Sequence, residues 1–150
     1  MFEVFKLEEI PLTCLRPSGQ PSDEELVDSL QRITRLIEGE KHAQRKIVMI
    51  IDMRKAGALS ANQRRVASAW MKESLRGWTQ VVLGSVFVID SPIVRGVLTA
   101  LLWLQPLDMP YDVVGNLDEA VRWSIGRLEA ARIRVPDRFR RELGAVFPAR

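Results

Sequence analysis

The stretch Lys46–Met53, KIVMIIDM, runs apolar for about the length of one β-strand with no polar alternation. A strand that faces water on one side alternates, whereas one covered on both faces does not. KIVMIIDM therefore predicts a central strand with packing on each side. Gln80–Ile89, QVVLGSVFVI, has the same character and predicts a second such strand. Two central strands separated by a helical pattern place the chain in the α/β class with a largely parallel sheet.

Working outward, Phe2–Leu7 and Ile10–Leu15 read as two short strands near an edge, since Pro11 is awkward in a central strand. Ser22 or Asp23 caps a helix reaching about Glu38, with Glu25 at the capping-box position and Gly39 as the stop. Leu26, Leu30, Ile33 and Ile37 form its buried stripe. Ser60 and Gln63 open a second helix, to about Arg76, whose inner stripe is Val66, Ala67, Trp70, Met71 and Ser74. Ser91 and Pro92 open a third, and Asn116 with Glu119 opens a fourth after the short strand Tyr111–Val114. Leu117, Val121, Ser124, Ile125 and Leu128 line the fourth helix's buried side. The expected order is β-β-α-β-α-β-α-β-α: about four to five strands and four helices in one domain over residues 1–131. An Arg-rich C-terminal extension, 132–150, follows, with Arg132, Arg134, Arg138, Arg140, Arg141 and Arg150 among spaced apolar residues. Folding back onto the domain is the simplest reading of it.

Composition narrows function mostly by exclusion. The chain has 150 residues, 47% hydrophobic and 27% charged, which fits one globular core. The net charge of +3 and pI of about 9.4 do not by themselves call for nucleic acid. The single cysteine, Cys14, sits among apolar neighbours and reads as a buried thiol of a cytoplasmic protein. The start MFEVFKLEEIPL is not that of a signal peptide. The longest apolar run, Ile93–Leu104, contains Arg95 and falls short of the ~20 residues of a membrane span.

No reaction motif emerges. One histidine, His42, and one cysteine leave no transition-metal set of the usual kind, and no Gly-rich phosphate loop occurs, so neither an enzyme nor a cofactor is expected. Asp52 and Asp90 end the two central strands, with Arg54 and Arg95 in reach as ion-pair partners, and a structural tie is the expected role. Ser60 is a candidate phosphorylation site by position, with N-capping as its ordinary role.

The segment Asp90–Pro106, DSPIVRGVLTALLWLQP, carries the main functional expectation. On a helical wheel Val94, Val97, Leu98, Leu101 and Leu102 share the side expected to face the sheet. Gly96, Thr99, Ala100 and Trp103 form the outer side, with Arg95 at its edge. A surface helix ordinarily carries charges there; here it offers an apolar strip with Trp and Arg, residue types enriched at binding hot spots. The tail or the loop after Pro106 would cover it, or a second protein chain would, most simply another copy.

VMIIDMR, LSANQRRVASAWM, GSVFVIDSPIVRGVLTALLWLQPL and YDVVGNLDEAVRW together resemble a group of short bacterial proteins near the SpoIIAA-like or STAS superfamily. The resemblance covers about residues 2–131. It implies a small mixed sheet with about four helices and a non-catalytic, regulatory role in protein interaction. Some members carry a phosphorylated Ser in a D-S-S-G phrase; Met53–Ser60, MRKAGALS, holds the corresponding place without the doublet. A lipid-transfer branch grouped nearby has a large apolar pocket. The alternative function is therefore a small-ligand or lipid binder with its pocket between helices and sheet.

Overall fold

The computed structural model describes residues 1–104 and 106–149. Arg150, counted above with the basic tail, lies outside the described residues, as does Gln105. Five strands form one mixed sheet in the order β1 (Phe2–Lys6), β2 (Leu12–Pro17), β3 (Ile47–Asp52), β4 (Val82–Val88), β5 (Tyr111–Val114). β1 pairs antiparallel with β2, and every later pair is parallel. The helices are α1 (Asp23–His42), α2 (Ala61–Ser74), α3 (Pro92–Leu104), α4 (Leu117–Ala130) and the short α5 (Arg138–Glu142), with 3-10 turns at Leu75–Gln80 and Leu143–Val146.

Both expected central strands lie inside the sheet. β3 buries Ile47, Val48, Met49 and Ile50, and their side chains alternate between two cores. Leu12, Cys14, Val48, Ile50, Val86 and Val88 meet Val121, Ile125 and Leu128 of α4. Leu15, Ile47, Met49 and Val82 meet Ile33 and Ile37 of α1 with Trp78. Helices thus cover both sheet faces, which is why neither strand sequence alternates.

The tail joins the α4-side core directly: Val135, Phe139 and Phe147 are buried there. Packing therefore runs without a break across residue 131. The apolar residues between the arginines turn inward, as folding back onto the domain requires.

The caps form as the sequence predicts. Ser60 accepts from Gln63 N at 3.1 Å, and Gln63 Oε1 accepts from Ser60 N at 3.0 Å. Ser22 caps α1 and Asn116 caps α4. Gly39 does not stop α1, which continues to His42. A glycine inside a helix costs only about 1 kcal/mol, and the added turn buries Glu40 between Lys6 and Arg45.

Candidate functional site

A cavity of about 510 Å³ lies between the sheet, α1 and α2. Its floor is the sheet face carrying Leu15, Met49, Ile51, Ser85 and Phe87; its walls are Leu26, Leu30 and Ile33 of α1 and Ala67, Trp70 and Met71 of α2. Exposure rises from the buried Met49 to the half-buried Ile51 and Met53, and Gly19, Ala56, Gly57 and Leu59 of the loops after β2 and β3 complete the lining, so the cavity reaches the carboxyl ends of the parallel strands. That end of an α/β sheet is where ligands commonly sit, and the volume is in the usual range for small-molecule sites.

Local structure holds the opening. The Gln63 side chain, besides completing its cap, donates to Pro21 O (2.9 Å) and Asp23 Oδ1 (3.0 Å) and so ties the start of α2 to the start of α1. Gly57 N donates to Gly19 O at 2.9 Å, joining the loops after β2 and β3. A Cβ at Gly57 would meet the Gly19–Gln20 backbone at 2.8 Å, so this approach requires glycine.

The lining is mainly apolar, and several of its polar groups bond within the protein. Trp70 Nε1 donates to Thr34 Oγ1 at 2.9 Å, Ser29 Oγ to Glu25 O at 2.8 Å, and Ser85 Oγ to Met109 Sδ at 3.3 Å. Arg32 Nη1 donates to Phe2 O at 2.8 Å, with the guanidinium 5.1 Å from the Phe2 ring centroid. The Met1 ammonium donates to Ser18 O at 2.9 Å, and Ser18 Oγ lies 3.5 Å from Met1 O. The lining acids are Glu25 and Asp28, both exposed at the opening. Trp70 and Trp78 pack edge to face, 5.2 Å between centroids.

Helix α3 departs from the expectation. The residues assigned to an outer contact face, Arg95, Gly96, Thr99, Ala100 and Trp103, are indeed exposed. But Val94, Val97 and Leu101, expected to face the sheet, are also exposed, at 45%, 57% and 54%, and Ile93, Trp103 and Leu104 exceed 75%. Only Leu102 is buried, with Leu98 half-buried. A wheel sorts residues by direction but says nothing of how far the helix stands from the sheet. Here a narrow two-residue seam anchors it. Val66 of α2, likewise expected inside, is exposed for a similar reason: α2 stands over the cavity rather than on the sheet.

The strand-end carboxylates divide. Asp52 is fully buried and grips Arg54 bidentately, Nε to Oδ1 and Nη2 to Oδ2, both at 2.8 Å. Arg16 Nε, also buried, is 3.3 Å from Asp52 Oδ2, and Arg16 Nη1 donates to Pro148 O at 2.8 Å. The bond to Asp52 raises the Arg54 pKa above its ordinary value, with help from nearby Asp90. This cluster ties β2, β3 and the tail together. Sequence reading named Asp52 and Arg54 but not Arg16, since nothing local marks a β2 arginine as buried. Asp90 is exposed and Arg95 reaches toward Gly115 instead. Ser60 is exposed, with its hydroxyl engaged as the cap.

No protein-family model matches the chain, and no curated protein does. Among solved structures, it is similar to an uncharacterized protein of the DUF3478 family from Shewanella loihica PV-4, which has a SpoIIAA-like fold. The identity is 11%, the match covers 83% of this chain and 92% of that one, and the TM-score is 0.63. At that identity the likeness defines the fold: an α/β mixed sheet of the SpoIIAA-like type, as the motif resemblance implies. Among the described residues no helix is long and apolar enough to cross a membrane.

Proposed function

We propose that the protein is a non-catalytic cytoplasmic domain that binds an apolar small molecule or lipid chain between α1, α2 and the sheet. The observation that carries this reading is the 510 Å³ cavity, since a gap of that size in a 150-residue domain forgoes packing the fold would otherwise gain. Its opening at the carboxyl ends of the strands is where a ligand enters most readily. The test is titration of the full chain with the neutral dye N-phenyl-1-naphthylamine. Saturable dye fluorescence with quenching of Trp70 and Trp78 is expected; a chain that leaves the dye unbound sinks the reading.

A second reading rests on a different observation. The apolar side chains of α3 stand in solvent on nearly every face, which suits a regulatory domain that docks a protein partner through Arg95, Gly96, Thr99, Ala100 and Trp103, most simply a second copy. Burying Trp103 would contribute on the order of 2 kcal/mol to association. Sedimentation of wild type and Ala100→Glu separates the outcomes. A dimer lost in the variant, with an unchanged melt, supports the contact, while a wild type that stays monomeric at high concentration removes the homodimer.

A further inference from the structure

Charge is unevenly spread over the cavity lining. The floor crosses the sheet from Phe2 on β1 to Ser85 and Phe87 on β4, three strand spacings in the sheet order, or about 14 Å. Arg32 and the Met1 ammonium line the β1 end, bonded to Phe2 O and Ser18 O respectively. The β4 end is lined by Phe87, Met109 and Trp78, and Ser85 Oγ there is held by Met109 Sδ. A long space with cations at one end and hydrocarbon at the other fits an amphiphile with an anionic head.

Arg32 keeps donors for such a head. One of its five N–H groups is spent, from Nη1 to Phe2 O at 2.8 Å, and the Phe2 ring, 5.1 Å from the guanidinium, supplies no oxygen acceptor. Among the described residues Nε and Nη2 donate to no protein group, and neither Glu25 nor Asp28 pairs with Arg32. Nε and Nη2 are the atoms with which Arg54 grips Asp52, the geometry in which a guanidinium takes a carboxylate bidentately. Arg32 is half-buried, which strengthens such a bond relative to one in open water. Glu25 and Asp28, exposed at the opening, repel a doubly charged head more than a singly charged one. We infer that the cavity takes a single-chain, carboxylate-headed lipid, with the head on Arg32 Nε and Nη2 and the hydrocarbon laid across Met49 and Ile51 toward Phe87. The inference rests on the apolar-ligand reading above and deepens it by naming the head that goes with the chain.

The experiment is competition on the full chain with N-phenyl-1-naphthylamine bound. Decanoate, decan-1-ol and decyl phosphate are each added at pH 8, below their critical micelle concentrations. Decanoate is expected to displace the dye at concentrations no higher than decan-1-ol requires, although the carboxylate is the costlier of the two to take out of water. Arg32→Gln is expected to shift the ratio of the two concentrations at least about tenfold toward the alcohol, the loss of a charge-assisted bond. Decanoate that needs a higher concentration than the alcohol in wild type overturns the inference while leaving the cavity reading intact, and so does a ratio that Arg32→Gln does not move. Decyl phosphate that displaces the dye more readily than decanoate overturns the carboxylate assignment. Failure of the dye to bind overturns the cavity reading itself. Should Arg32→Gln not fold, the wild-type comparison decides alone.

Discussion

On the α4 side of the sheet, Leu12, Cys14, Val48, Ile50, Val86 and Val88 are all at 0% exposure, and the tail adds Phe139 and Phe147 to seal them. On the α1 and α2 side, Leu30, Ile51, Trp70, Met71 and Phe87 are half-buried around an open space. The same strands supply both faces, so the difference lies in what is laid over them. One helix and a folded-back tail close the first face, while two helices stand apart over the second and leave room. Stability is therefore concentrated on one face and space for a ligand on the other.

That contrast can be broken most directly at Phe139. Phe139→Ala should cost about 3–5 kcal/mol in chemical denaturation, the usual loss for a fully buried aromatic. A cost below about 1 kcal/mol would mean that the tail does not seal the α4 face. Next in size is Arg16→Met. It removes the link from Asp52 to the tail carbonyl, although Asp52 keeps Arg54, so a loss of about 2–3 kcal/mol is expected. An unchanged melting curve would contradict the buried tie.

The open face should respond in the opposite sense. Ala67→Met places atoms in empty space and is expected to stabilise by about 0.5–2 kcal/mol, as cavity-filling changes commonly do, while lowering dye affinity. Destabilisation there would show α2 to be close-packed after all. The smallest effect is expected at Ser60. Ser60→Asp should stay within about 0.5 kcal/mol of wild type, because Asp caps a helix about as well as Ser, whereas Ser60→Ala should lose about 1 kcal/mol. A thermal melt of the pair checks both; an Asp variant as damaged as the Ala variant would mean that the hydroxyl does more than cap.

The legible parts of this molecule were those set by local pattern. The apolar runs of β3 and β4 announce cover on both faces, and Ser60 with Gln63 announces a helix start. The fold-back of the tail followed from Phe139 and Phe147 among the arginines. What was not legible depends on distance between elements. The residues that line the cavity, Ala67, Trp70 and Met71, look in sequence like an ordinary inner stripe, because an absent neighbour leaves no mark on a wheel. The pairing of Trp70 and Met71 with the small Ala67, over a strand bearing Met49, is the faint sign of a loosely filled interior. The exposure of Val97 and Leu101 was hidden in the same way. Arg16 carries no local mark of burial because its partners, Asp52 and Pro148, lie 36 and 132 residues away.

Spatial strand order in this sheet equals chain order from β1 to β5. Each strand can add to a neighbour that is already placed, so no strand has to be inserted between two others. The bond from Arg16 to Pro148 spans 132 residues, and that from Arg138 to Glu9 spans 129. A contact of such reach belongs to the end of assembly, after the sheet exists. Weakening it should leave the refolding rate nearly unchanged and accelerate unfolding, so that the tail governs how long the folded state persists rather than how quickly it is reached.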